Sequence, residues 1–72
     1  MGLDKYLREL GSHIRKLRED KHITQSELAR LVDKDRQTIH KLEKGELNAT
    51  VESLKQVADA LKIPVKKLFD FE

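Results

Sequence analysis

The sequence predicts an all-α domain of five short helices, and three observations carry that prediction. Apolar residues recur at three- and four-residue steps, and no stretch of useful length alternates with period two. Capping signals divide the chain into segments, with Gly45 and Pro64 as the main punctuation. Seventy-two residues make one domain, near the lower size at which a chain buries an adequate core by itself. A deep active-site cleft is hard to enclose in such a domain, which argues against an enzyme.

The first helix carries Leu3, Leu7, Leu10, Ile14 and Leu17 along one stripe, with Tyr6 at its edge, and the whole stripe is expected in the core. Gly11 interrupts it at a cost of about 1 kcal/mol relative to Ala. That glycine either admits a neighbouring helix closely or divides a flexible lead-in from the helix proper. Residues 1–9 are read as an N-terminal helical extension of this helix, and residues 10–70 as the single domain. The polar face of the extension mixes Asp4, Arg8 and Glu9, which disfavours membrane-surface binding.

Thr24-Gln25-Ser26-Glu27 has the form of a capping box, so a second helix starts there. Leu28, Leu31 and Val32 supply its apolar face. Asp33 stops it, since Asp tolerates the left-handed conformation better than most non-glycine residues. Asp35 is a good N-cap for a third helix over residues 35–44, which ends at Gly45 as a C′ glycine. Thr50 caps a fourth helix with Val51, Leu54, Val57, Ala58 and Leu61 facing inward. Pro64 starts a short fifth helix carrying Val65, Leu68 and Phe69. Phe69 is expected to close the core between the last two helices, and Phe71 to pack against a second subunit.

Fifteen Lys and Arg against thirteen Asp and Glu leave a net charge of +2, too small to argue for nucleic acid by itself. The distribution of charge matters more. Three aromatics are too few for a base-stacking platform. There is no cysteine, hence no disulfide framework and no thiolate zinc site. No apolar run is long enough to span a membrane, and MGLDKYLREL lacks the apolar core of a signal peptide. A cytoplasmic protein is the expectation.

In the third helix, about 100° per residue places Ile39 and Leu42 on a buried side, with Gln37, Lys41 and Lys44 opposite. Arg36 and His40 lie along one flank and Thr38 along the other. Glu43 falls beside Ile39, where a carboxylate needs a charged partner. Arg18, at the margin of the first helix's stripe, is inferred to supply it through two parallel N–H···O bonds. The outward residues suit the major groove of DNA, where Arg or Lys pairs with guanine and Gln with adenine. Gln25 and the first-turn N–H groups of the second helix can meet a phosphate. Taken singly, each of these side chains reads as a solvated polar residue. The arrangement of capping box, short helix, three-residue break and polar-faced helix is what forms a helix-turn-helix pattern over residues 24–45.

Thr24-Gln25-Ser26-Glu27-Leu28-Ala29, Ile39, Leu42-Glu43-Lys44-Gly45, Leu54, Ala58 and Leu61 together resemble the Cro/cI-type (XRE) helix-turn-helix family, over about residues 10 to 69. The resemblance implies a five-helix, phage-repressor-like DNA-binding domain that acts as a homodimer on a pseudo-palindromic operator. It implies base reading by Arg36, Gln37 and Lys41, and backbone contacts from Gln25, Thr38, Lys44 and Asn48; Lys34, as an extra cation near the DNA, and His40, on the flank of the helix, are further candidates for backbone contact. The Arg18–Glu43 pair is also frequent in the family. Three positions depart from the pattern: Asp33 replaces the usual turn glycine, Lys34 a small or apolar residue, and Ala49 a common proline.

Other sites find little support. His13, His22 and His40 have no metal-ligand spacing. His13 and His22 read as solvated, and His40 either as a flank contact or as solvent-exposed. Ser12 and Ser53 have no base nearby in sequence. No catalytic residue, metal, cofactor or small-molecule ligand is expected. The leading expectation is a sequence-specific double-stranded-DNA-binding transcriptional regulator, bacterial or phage-encoded and nucleoid-associated. The alternative is a protein-interaction module of the same fold, such as an antitoxin or adaptor, with DNA contact secondary.

Overall fold

The computed structural model describes residues 2–71; Met1, the first residue of the predicted extension, and Glu72 lie outside the described residues. Five helices form: α1 (Gly2–Asp20), α2 (Gln25–Leu31), α3 (Arg36–Glu43), α4 (Val51–Ala60) and α5 (Val65–Leu68), with no strand among the described residues.

The starts of the helices are set by the residues expected to set them. Glu27 N–H donates to Thr24 Oγ1 at 3.0 Å, and Thr24 N–H donates to the Glu27 carboxylate at 2.9 Å, closing the capping box. Asp35 accepts from Thr38 N–H at 2.7 Å, and Thr50 from Ser53 N–H at 3.1 Å. Pro64 stands one residue ahead of α5 as its N-cap, with no side-chain hydrogen bond.

The four longer helices all end in the same way. His22, Asp33, Gly45 and Lys62 each adopt positive φ, at 59°, 57°, 76° and 60°. Each is followed by an N–H that reaches back to the helix: Ile23 to Arg18 O, Lys34 to Ala29 O, Glu46 to Lys41 O and Ile63 to Ala58 O. These are Schellman caps, and only one of the four uses glycine. Asp33 was the expected left-handed residue; His22 and Lys62 carried no sequence signal for it.

Ile14, Leu28, Ile39, Leu61 and Leu68 are fully buried, with Leu10, Ala29, Val32, Leu42, Leu54, Val57 and Ala58 around them. Three residues expected in the core lie outside it: Leu3, Leu31 and Val51 are 61%, 57% and 80% exposed. A 19-residue helix is about 28 Å long, close to the 32 Å long axis and well beyond the 22 and 21 Å of the others. The end of α1 therefore overhangs the bundle, and burial fades from Leu10 through Leu7 to Leu3. In α2 the buried face is Leu28, Ala29 and Val32, and Leu31 points about 100° away from its centre. Val51 lies in the first turn of α4, about 70° off the stripe of Leu54, Val57, Ala58 and Leu61.

Gly11 does not interrupt α1. It faces α3, where a Cβ would lie 2.5 Å from Glu43 O and closer still to Leu42 O. The first of its two readings, close approach of a neighbouring helix, is the one observed. The ring of Phe71, half-buried, packs on Tyr6 at 5.2 Å and on His13 at 5.7 Å within its own chain. His13, expected to be solvated, is half-buried, with Nε2 2.9 Å from Lys67 O. Both sets of contacts have one cause: α1 and α5 pack together, a pairing that spacing along the chain does not reveal.

Candidate nucleic-acid interface

Three buried residues, Ile39, Leu42 and Glu43, seat α3 on the rest of the fold. Arg18 Nε donates to Glu43 Oε2 at 2.7 Å and Arg18 Nη2 to Glu43 Oε1 at 3.0 Å, the two parallel bonds expected of this pair. Arg18 Nη1 donates to Ile23 O at 2.7 Å, and Gln25 Nε2 to Glu43 Oε1 at 3.0 Å. The hydrogen bond from Arg18 to the Glu43 carboxylate raises the guanidinium's pKa above its ordinary value against the opposing effect of burial. A single buried network thus ties the C-terminal end of α1, the start of α2 and the end of α3 together.

That network constrains Gln25. A carboxylate only accepts, so the Gln25 amide must turn its NH2 toward Glu43. One N–H is used there, and the other remains for a ligand.

The outer side of α3 is polar throughout. Arg36, Gln37, His40, Lys41 and Lys44 are all exposed, as are Lys34 before the helix and Asn48 after it. Thr38 is half-buried, and its hydroxyl donates to Asp35 Oδ1 at 2.7 Å. Its proton is directed at the cap.

The expected site residues divide into separate groups. Arg36, His40 and Lys44 line an open cleft of about 430 Å³ with Gln25 and Arg15, over the Arg18–Glu43 pair. Gln37 and Lys41 are one turn apart beside that row, outside the cleft, and about 6 Å of helix rise separates them, near two base-pair steps. Lys34 and Thr38 border a different feature, a small apolar cavity of about 30 Å³ that Ala49 also lines. Asn48 borders neither. Lys44 was expected on the face opposite the core with Gln37 and Lys41, and it joins the cleft row instead.

Arg15 was not anticipated as a site residue. Gly11, Arg15 and Arg18 follow at four- and three-residue steps on the side of α1 that meets α3, and that spacing was the available signal. A larger open groove of about 630 Å³ lies between α1 and Phe71, lined by Lys5, Arg8, Glu9 and His13 among others.

Among the described residues no cluster of His, Asp and Glu is arranged to hold a metal ion, and no helix is long and apolar enough to cross a membrane. The exposed cations and amides of α3, with those of the cleft, provide donors for acceptor groups on a large anionic partner.

Comparison with known proteins agrees with this geometry. The chain matches the helix-turn-helix (HTH_3) family over residues 14–68. No curated protein matches it. Among solved structures it is similar to the restriction-modification controller protein C.AhdI from Aeromonas hydrophila, at 33% identity and a TM-score of 0.86, over 88% of this chain and 96% of that one. The clp gene regulator ClgR from Corynebacterium glutamicum is 30% identical with a TM-score of 0.87, over 89% of this chain and 82% of that one. A hypothetical transcription factor, NHTF, from Neisseria is 27% identical with a TM-score of 0.81, over 86% and 71%.

Proposed function

The chain belongs to the helix-turn-helix (HTH_3) family, and from that premise we propose that this DNA-binding transcriptional regulator reads a specific duplex sequence with α3 in the major groove. The observation that carries the reading is the division within α3: three buried residues fix the helix, and every fully exposed one is a cation, an amide or an imidazole. A helix 10–12 Å across fits a groove about 12 Å wide.

In this reading Arg36, Gln37 and Lys41 contact base edges. Gln25, Lys34, His40, Lys44 and Asn48 position the backbone, and Thr38 contributes as the partner of the Asp35 cap. The protein works in the cytoplasm of a bacterium or phage host, as a homodimer on a pseudo-palindromic operator. One such module buries only roughly 600–1,000 Å² on DNA, so two half-sites supply specificity that one cannot. Support for pairing comes from family resemblance and from this small footprint; Phe71, engaged within its own chain, adds none.

Selection from a pool of random duplexes at varied salt tests the function. Enrichment of a palindromic motif, with affinity falling steeply as salt rises, is expected. Neither enrichment nor a salt slope would overturn the reading in favour of a protein-interaction module.

A further inference from the structure

Two of the exposed cations that line the cleft beside α3 already have partners. Arg15 Nε lies 3.1 Å from Glu19 Oε2, and Lys44 Nζ 3.8 Å from Glu46 Oε2. Both pairs are more than half exposed. Arg15 comes from α1, Lys44 from the C-cap of α3, and together with Arg36, His40 and Gln25 they surround one concavity. Among the described residues Glu43 is the sole carboxylate lining the cleft, and Arg18 already neutralises it. Glu19 and Glu46 stand outside the cleft and hold two of its cations.

We propose that this cleft seats a backbone phosphodiester, with Arg15 as a ligand supplied by α1, and that Glu19 and Glu46 are exchangeable placeholders that the phosphate displaces. The inference rests on the DNA-binding reading and extends it to a residue of α1 and to two acidic residues. An exposed ion pair is weak, because solvent screens it and two long side chains lose freedom to form it. Its cation is therefore available to a better acceptor. A phosphodiester held by several donors at once is a better one, and the released carboxylate regains its water. Each exchange still costs the energy of the pair it breaks. The two carboxylates thus hold down affinity for any duplex, whatever its sequence, since the group they compete with is the same on all DNA.

The test compares Glu19→Gln and Glu46→Gln with Asp59→Asn. The control frees Lys55 from a similar exposed pair, at 2.6 Å on α4, and changes net charge equally, but neither residue lines the cleft. Affinity of the full chain for a random-sequence duplex is measured by anisotropy across a salt series. Each cleft variant is expected to bind up to about fivefold more tightly than the control. The dependence of affinity on salt should steepen by up to about 0.9 in logarithmic slope. Arg15→Gln should remove the gain of Glu19→Gln while leaving that of Glu46→Gln. If the wild type binds duplex DNA and both cleft variants match the control, the placeholder inference is overturned and the DNA-binding reading stands. If no variant binds any duplex, both fall together.

Discussion

Arg18 and Glu43, twenty-five residues apart, form a two-bond ion pair in which both side chains are almost completely buried. The pair also satisfies Ile23 O and orients Gln25, so losing either partner leaves a charge and several hydrogen-bonding groups unmatched. Glu43→Gln is expected to destabilise the fold by roughly 3–5 kcal/mol, the usual cost of stranding a buried charge. Arg18→Met combined with Glu43→Leu should cost less than either single change, because no charge is then stranded. Urea unfolding of Glu43→Gln, of Arg18→Met and Glu43→Leu singly, and of their combination checks this, and an unchanged midpoint for Glu43→Gln would contradict it.

Gly11→Ala sets two principles against each other. Helix propensity favours alanine by about 1 kcal/mol in an exposed helix interior. Here the added methyl would meet the carbonyls of Leu42 and Glu43, which are backbone and cannot swing aside. Overpacking of this kind costs about 1–3 kcal/mol. The contact should win, and thermal unfolding should show a lower Tm. A higher Tm would mean that α1 and α3 separate cheaply.

This glycine also shows where sequence reasoning reached and where it stopped. Local signals read correctly: the capping box at Thr24 and Glu27, the cap at Asp35, and the termination at Gly45 depend on neighbours within a few residues. The Arg18–Glu43 pair was also legible, because a carboxylate on the core side of α3 demanded a cation. Non-local facts were not. Periodicity says that Leu3 shares a stripe with core residues, and it cannot say that the neighbouring helices end before reaching it. Nothing near Phe71 or His13 in sequence points to the other. Of the site, chemistry and face were legible in the residues of α3. Its division into a cleft row and a separate ridge depended on Arg15 and Gln25, which come from other helices.

Acid should weaken the caps. Hydrogen bonds from Thr24 to Glu27, its backbone N–H first, hold that carboxyl below its ordinary range. The Thr38 hydroxyl, then its backbone N–H, do the same for Asp35. Because these values are lower folded than unfolded, the stabilisation is complete above the unfolded values and is lost as pH falls through the folded ones. The window opens at about pH 4 and extends downward. The stability difference between wild type and the Glu27→Gln/Asp35→Asn variant should therefore shrink as pH falls from 5 toward 2, by roughly the share these two groups hold. A difference that stayed constant across that range would show that the carboxylates stabilise nothing through their charge.

Lys62 occupies a left-handed position that glycine adopts without penalty, and its cap needs only backbone groups. A non-glycine residue there costs about 1–2 kcal/mol, partly offset by the greater freedom glycine has when unfolded. Lys62→Gly should raise stability by up to about 1 kcal/mol. The same exchange at Lys16, exposed within α1, should lower it by about 1 kcal/mol. Equal effects at the two sites, read by chemical denaturation, would refute the conformational account.

The roles along α3 can be separated by what each side chain does to sequence preference. Arg36 stands at the first turn of the helix, where a side chain reaches furthest into the groove, and a guanidinium can pair with both acceptors of one guanine. Lys44 stands at the other end, in the cleft and beside Glu46. Arg36→Ala should cost about 1–3 kcal/mol on the selected operator and relax preference at one position. Lys44→Ala should weaken operator and random duplex alike, and reduce the salt slope by about 1. Arg36 shares its row with His40 and Lys44, so the opposite assignment has a definite signature. If Arg36→Ala weakens all duplexes evenly, Arg36 belongs to the phosphate cleft, and base reading falls to Gln37 and Lys41 alone.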